Sequence, residues 1–418
     1  MRRPSFSALS RSFIAVATTC SLAMGASNVL AAGPVPPVPL PEACPTSEAV
    51  TWVYTLDEKE QALESIDLEG AATTFSLLAD FEGTSIIIRV KDAASGESLG
   101  VIKTNTANNS TTGEIYAYRL SRLLGFSGLV APVIPVELHG GALTKLRDLM
   151  RSRRYSDAHK ERNRQIVLNE VSKAIDNGDT FTGAFKVWVP SFMFHAGLGT
   201  RTSLGRQEIT RHLGARTPQP ERKDIVLSQL TRLYSPQGTH RGTVDLAELA
   251  QDYSNMLLMD ALMGQNDRFA GANVHFRSVN NERTERGTRS GLPIFEMGRV
   301  RLLALDNGAS MRSRGGSGIA DLHGNNDSAT RIERFSRTSV QQLRLMAKRV
   351  AGIGCESPAS EEELSSFFNY MGVTDARTRE RAIGYIKPVL DYIDGLERRY
   401  GDAIYFDVAP AVDEQAAE

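Results

Sequence analysis

The chain has 418 residues, 41% of them hydrophobic and 23% charged, with a formal net charge of -1. That composition excludes a disordered or collagen-like chain and allows two units with a substantial core. A balance so close to neutrality gives no sign of a nucleic-acid partner.

Arg2-Arg3, then a mostly apolar stretch of small residues from Phe13 to Ala26, then Val29-Leu30-Ala31 or Leu30-Ala31-Ala32 as a cleavage site, read as a signal peptide over residues 1–32. Thr18, Thr19 and Ser21 interrupt the stretch too often for a membrane span, and no later segment reaches the required length. Export to the periplasm, the extracellular space or a secretory lumen is expected. Ala17-Thr18-Thr19 is a poor lead-in for lipidation of Cys20, so cleavage leaves Cys44 and Cys355. In an oxidising compartment these two either pair or remain free or buried thiols, and the sequence does not choose. Residues 33–50 read as a Pro-rich linker and 406–418 as a disordered acidic tail.

Three β-rich runs, Thr74 to Leu78, Ser85 to Val90 and Leu99 to Lys103, with a Ser95-Gly96 turn, predict an antiparallel meander ending on a lysine. Thr111 to Gly125 has a Thr cap, apolar residues near helical spacing and a Gly stop, and predicts a helix with Glu114 in its first turn. Strands are expected at Val130 to Leu138 and Phe185 to Pro190. Leu143 to Asn177 between them reads as helical, its Arg and Lys residues a solvated face. Asp245 to Met263 spaces Leu246, Leu249, Tyr253, Met256, Leu257 and Met263 as a core helix. It delivers the loop Gln265-Asn266-Asp267-Arg268-Phe269-Ala270-Gly271-Ala272-Asn273, which opens a strand at Val274-His275-Phe276. A polar hairpin is expected from Val279 to Gly291, then a strand at Arg301 to Leu305 closed by Asp306-Asn307-Gly308. Arg312 to Thr330 is rich in Gly, Ser and Asn and reads as mobile. Helices are expected at Ser339 to Val350, Glu361 to Met371 and Arg377 to Arg399.

Taken singly, the polar residues in this series have ordinary explanations. Asp306 before Asn307-Gly308 is turn chemistry, Thr111-x-x-Glu114 is a capping box, Lys103 ends a strand and Asn273 begins one. Phosphoryl transfer asks for a cation on the phosphates, carboxylate or amide ligands for a metal, and a carboxylate beside the acceptor hydroxyl. The ordered set supplies a candidate for each.

The set Gly100-Val101-Ile102-Lys103, Gly113 to Gly125, Gly264-Gln265-Asn266-Asp267-Arg268 and Leu305-Asp306-Asn307-Gly308 resembles the atypical kinases. That group spans the phosphatidylinositol kinases, the HipA toxin kinase and the secretory-pathway kinases related to Golgi casein kinase, and the leader makes the secretory branch the most similar. The resemblance runs from about Thr73 to Arg399. It implies an α+β, two-lobed kinase-like fold: a small lobe over residues 51–190 with an antiparallel sheet plus a helix, and a mainly helical large lobe over 191–405. It implies ATP with Mg²⁺ or Mn²⁺. Lys103 would hold the nucleotide phosphates, braced by Glu114, Asp267 would be the catalytic carboxylate, and Asp306 and Asn273 would bind the metal. The acceptor would be a hydroxyl of a protein, glycan or small molecule. Ala272 stands where many kinases carry the loop Asn, so Asn273 reaches the metal only across a bulge, and Phe269 stands where relatives often carry His. Glu82-Gly83-Thr84-Ser85 is the one candidate for a phosphate-covering glycine loop. Nucleotidyl transfer from ATP and a non-catalytic pseudokinase that binds a partner are the alternatives.

Overall fold

A computed structural model describes residues 44, 52, 54–78, 86–106, 110–126, 128–189, 192–193, 209–226, 239–265, 268, 273–279, 284–289, 292–311, 318–324, 331–355 and 359–406. The expected leader, almost all of the linker, the Gly83 segment and Asp267 lie outside these residues. Phe406, assigned from sequence to the tail, is buried and donates its N–H to the Phe335 carbonyl.

Helix α1 (Glu58–Glu64) starts on a true capping box, in which the Asp57 carboxylate accepts from Lys59 and Glu60 N–H groups and Glu60 accepts from the Asp57 N–H. Strands β1 (Thr73–Leu77), β2 (Ile87–Asp92) and β3 (Ser98–Lys103) form the expected antiparallel meander. On β2, Ile88 and Val90 alternate with Ile87 and Arg89, so the two pairs face opposite sides of the sheet. Helix α2 (Thr111–Leu123) follows, then β4 (Val133–Leu138), α3 (Gly140–Ser152), α4 (Ala158–Asn177) and β5 (Phe181–Val187). The five strands order as β1-β2-β3-β5-β4. Pro135 sits on edge strand β4, where its missing N–H leaves no inner ladder bond unmade.

The stretch from Leu143 to Asn177, expected to be helical, holds two helices, because Asp157 caps a fresh start by accepting from the Lys160 N–H. Strand β5 begins at Phe181, earlier than expected, since Gly183 conceals its pattern. A Cβ there would sit 3.0 Å from Ile102 Cγ2, so glycine is what keeps the contact with the paired strand β3 from being tight.

Short strands β6 (Phe192–Met193), β7 (Asp224–Val226) and β8 (Thr239–Asp245) precede the core helix α5 (Leu246–Met263), capped by Asp245 and ended by Gly264 in the left-handed region. Then come β9 (Val274–Ser278), β10 (Thr284–Arg289) and the long β11 (Leu292–Ala304). The expected polar hairpin is β10 paired antiparallel with the start of β11, whose far end pairs with β9. Strand β8, unforeseen from sequence, runs parallel to β11. The second half of the chain therefore carries a six-stranded sheet as well as helices, which corrects the expectation of a mainly helical unit. Within the stretch read as mobile, α6 (Gly318–Leu322) is formed and Leu322 is buried. Helices α7 (Arg337–Ala351), α8 (Glu361–Tyr370) and α9 (Ala376–Tyr400) complete a mixed α+β fold. None of the described helices is long and apolar enough to cross a membrane.

Two hydrophobic cores result among the described residues. One lies between the five-stranded sheet and α3 and α4. The other gathers α5, β9, β11 and α7 to α9, and it includes Ile115, Tyr116, Leu120 and Leu123 of α2. Helix α2 thus belongs by sequence to the first half of the chain and by packing to the second.

Cys44 and Cys355 are bonded, with Cα atoms 5.7 Å apart, across a sequence separation of 311 residues. The bond ties the chain ahead of α1 to the end of α7. Cys355→Ser is expected to lower the melting temperature of the oxidised protein. Loop entropy sets an upper bound on the order of 5 kcal/mol for so long a loop, and the same loss on adding reductant to the unsubstituted protein checks the cause.

Candidate functional site

Between the two cores runs a cleft lined on one side by Leu78, Ile87 and Val101 and along its rim by Val187, Trp188 and Val189. Leu305 and His275 close the other side, and Lys103, Lys186, Asp306 and Asn273 supply its polar groups. A largely apolar slot with a few convergent charges is the usual form of a small-molecule site.

Lys103 ends β3 with Val101 on the same face of the sheet, two residues earlier, so the strand's alternation aims both side chains into the cleft. Glu114 arrives from α2. The helix is capped by Ser110, whose hydroxyl accepts from the Gly113 N–H, and so Thr111 is not the cap and the Glu114 carboxylate is not spent on a capping box. Its Oε1 accepts from Lys103 Nζ at 2.5 Å and its Oε2 from Lys186 Nζ at 2.9 Å. The Lys103 ammonium also donates to Asp306 Oδ1 at 2.8 Å. Three expected site residues, Lys103, Glu114 and Asp306, are therefore joined directly, although they lie far apart in sequence.

Burial would raise the pKa of Glu114, but the Lys103 and Lys186 ammonium groups outweigh it and hold the carboxyl down at about 2. Burial likewise opposes the charge on Lys103, yet the carboxylates of Asp306 and Glu114 prevail and hold its pKa above the ordinary value. Lys186 is the weaker partner. Burial lowers its pKa, Glu114 works against that fall, and the neighbouring Lys103 adds to it.

Asp306 adopts φ 54° and ψ 66°, in the left-handed region that non-glycine residues seldom occupy. Its carbonyl accepts from Gln265 Nε2 at 3.1 Å, and its carboxylate caps nothing. The Asn307-Gly308 that follows forms a 3-10 turn (Asn307–Ala309), not a hairpin. That turn receives α2: the Ser110 N–H donates to the Gly308 carbonyl at 2.8 Å. A Cβ on Gly113 would come within 2.7 Å of the Asn307 carbonyl oxygen, so only glycine lets the helix approach this closely.

Arg268 holds the floor. Its Nε and Nη2 form a bidentate pair with Asp260 of α5 at 2.9 and 2.7 Å, and Nη2 also donates to Asn307 Oδ1 at 2.6 Å. Its Nη1 donates to the carbonyls of Asn273 and Leu305 at 3.0 and 2.7 Å. Burial pushes the Asp260 carboxyl up, with Arg268 opposing. One guanidinium thus ties α5, the start of β9 and the Asp306 turn together.

Asn273 is buried beside the cleft, its N–H donating to the Arg268 carbonyl at 3.1 Å. Asp267, the expected catalytic carboxylate, is outside the described residues, although Gln265 and Arg268 on either side of it are both fixed to the Asp306 segment. No group of three His, Cys, Asp or Glu that could hold a metal occurs among the described residues. A carboxylate and an amide on one cleft do suit Mg²⁺ or Mn²⁺ held largely through phosphate oxygens. Sequence reasoning missed Lys186 and Asp260. The signal was there in both: a charged residue inside an unbroken apolar run, Phe185-Lys186-Val187 on a strand and Met259-Asp260-Ala261-Leu262 on a helix.

The chain matches no protein-family model, and no curated protein matches it.

Glu114 has a folded-state pKa below its ordinary value, so the stability it contributes is present above that ordinary value of 4.5 and is lost as pH falls toward 2. Unfolding of wild type and Glu114→Gln followed from pH 6 downward is expected to show a stability gap that closes across that window. Arg268→Met leaves the buried Asp260 carboxylate unpaired and is expected to cost about 3–5 kcal/mol in urea unfolding at neutral pH.

Proposed function

We propose that this chain is an exported, metal-dependent phosphotransferase of two-lobed kinase-like form, moving the γ-phosphoryl group of ATP to a hydroxyl group. The observation that carries the reading is the direct joining of Lys103, Glu114 and Asp306 at one end of an apolar slot. Structural needs alone do not account for it: two buried ion pairs sharing a lysine are weak evidence for stability, and these border a cavity. In this reading the five-stranded sheet with α2 is the small lobe, and α5, the second sheet and the C-terminal helices are the large one.

Leu78, Ile87, Val101, Val189 and Leu305 would sandwich the flat, weakly polar adenine ring. Lys103 would turn from Asp306 to the phosphates, keeping its hold on Glu114. Asp306 and Asn273 would bind Mg²⁺ or Mn²⁺, which when present neutralises phosphate charge. Asp267, in the loop anchored by Arg268, would orient the acceptor hydroxyl and take its proton. Export is supported by the leader-like residues 1–32 and by the Cys44–Cys355 bond, since such bonds form and persist in oxidising compartments. The acceptor is a hydroxyl of a protein, a glycan or a small molecule.

Mg·ATP or Mn·ATP is expected to raise the melting temperature of wild type, and not that of Asp306→Ala. Asp267→Asn is expected to keep the shift and lose transfer, with mass spectrometry of the product showing an added phosphoryl and not a nucleotidyl group. An Asp306→Ala protein that binds and turns over Mg·ATP like wild type overturns the assignment.

A further inference from the structure

We propose that Lys186 is a positioning residue for this cleft. It pins the Glu114 carboxylate so that Lys103 can pass from Asp306 to the phosphate of a metal-bound nucleotide without Glu114 moving. The inference rests on the phosphotransferase reading above and extends it to a residue that the motifs do not contain.

The charges form a line: Lys186, Glu114, Lys103, Asp306. Lys186 Nζ lies 2.9 Å from Glu114 Oε2, Lys103 Nζ lies 2.5 Å from Glu114 Oε1, and the same Lys103 Nζ lies 2.8 Å from Asp306 Oδ1. The closed end is Lys186, whose side chain is 4% exposed, and the open end is Asp306, at 29%. An entering cation would therefore meet Asp306 first and displace Lys103 from it. What then keeps the released ammonium in place is Glu114 alone.

A carboxylate held at one oxygen can swing about its last torsion, whereas one held at both presents each oxygen at a fixed point. Lys186 supplies the second hold, and it does so from rigid backbone. It sits on β5, an inner strand of the sheet, directly opposite Val101, while Lys103 is opposite Ala184. The two lysines thus share one face of two adjacent strands, on backbone that depends on neither α2 nor the Asp306 turn.

Stability does not call for this arrangement. Glu114 with Lys103 alone would already be a buried pair, and a buried ion pair replaced by apolar groups of similar volume is often no less stable. A second lysine whose pKa is lowered by its own burial is a cost that packing would have avoided. Its one described partner is the oxygen of Glu114 that Lys103 leaves open.

The test uses the full oxidised chain, with Mg²⁺ and the β,γ-imido analogue of ATP for binding and Mg·ATP for turnover. Lys186→Met is expected to raise the dissociation constant and KM by about tenfold with a smaller change in kcat, and Lys186→Arg to recover most of the loss. In a Glu114→Gln background the same Lys186→Met change is expected to add less than about twofold, because the carboxylate through which it acts is gone. If Lys186→Met does not fold, Lys186→Gln takes its place in the same cycle. Wild-type constants for the Lys186 variant, or an equal loss with and without Glu114, overturn the proposal. Wild-type binding that Lys103→Met abolishes and Lys186→Met leaves intact overturns this inference alone. No binding of Mg·nucleotide by wild type overturns it together with the functional reading.

Discussion

A carboxylate with no solvent exposure has to be paired in place, and the pairing of Glu114 governs how the elements around it are set. Lys103 and Lys186 must come from adjacent strands with both side chains on one face, which fixes the register of β3 against β5. A slip of one residue would turn an ammonium to the opposite face and leave the carboxylate unpaired. With Asp306 included, the cluster holds two ammonium groups and two carboxylates, so the low-dielectric space between the cores carries no net charge.

Because Glu114 sits on α2, everything that fixes α2 fixes the cluster. One end of the helix docks on the 3-10 turn through Ser110 and Gly113. Along its length Arg119 donates to the Tyr370 carbonyl of α8 at 2.8 Å and lies over the Tyr54 ring. Arg122 donates to Glu60 of α1 at 2.8 Å, and the Tyr118 hydroxyl donates to Asp57. The segment that carries Tyr54 also has Trp52 packed edge-on against Phe367, the Trp52 backbone N–H donating to the Ser366 hydroxyl, and it leads back to the bond at Cys44. Helix α2 is thus gripped between the covalently anchored N-terminal segment and the C-terminal helices. Such a grip suits a helix whose buried carboxylate has to meet lysines on two adjacent strands.

Much of this was legible in the sequence where periodicity and local chemistry coincide. The β1 to β3 meander, α2, α5, the end of β11 and the three last helices follow from alternation, helical spacing and Gly stops, and Lys103, Glu114 and Asp306 lie at or just past the ends of β3, α2 and β11. What escaped depended on contacts distant in sequence. Thr111 and Ser110 are equally good caps by composition, and only the docking of Ser110 on Gly308 decides between them. Strand β8 is interrupted by Gly242, whose missing Cβ leaves room for the Gly298 carbonyl of β11, so its pattern is readable only beside its partner. Lys186 and Asp260 look like interruptions of apolar runs until Glu114 and Arg268 are brought to them. The pairing of Cys44 with Cys355 likewise needed the fold to set their Cα atoms 5.7 Å apart.

The contact between Lys103 and Asp306 gives the cluster a definite polarity. Asp306 is the more exposed of the two carboxylates and sits on a backbone held in the left-handed region by the turn behind it, so its position does not depend on Lys103. Lys103, by contrast, is shared, and its second partner stays behind when the first is taken. A divalent cation arriving with a phosphate chain would bring a stronger charge to Asp306 and, at the same moment, an acceptor for the ammonium it displaces. In the proposed reaction every group would keep an opposite charge throughout that exchange, which is the condition for moving charges in a space where an unpaired one is costly. Arg268 makes the same demand of the floor below, since the Asn273 carbonyl at the start of β9 and the turn that bears Asp306 both hang from its guanidinium. One buried cation therefore sets the Asp306 turn against the start of β9, and so the backbone spacing of Asp306 and Asn273 is a property of the fold and not of the ligand.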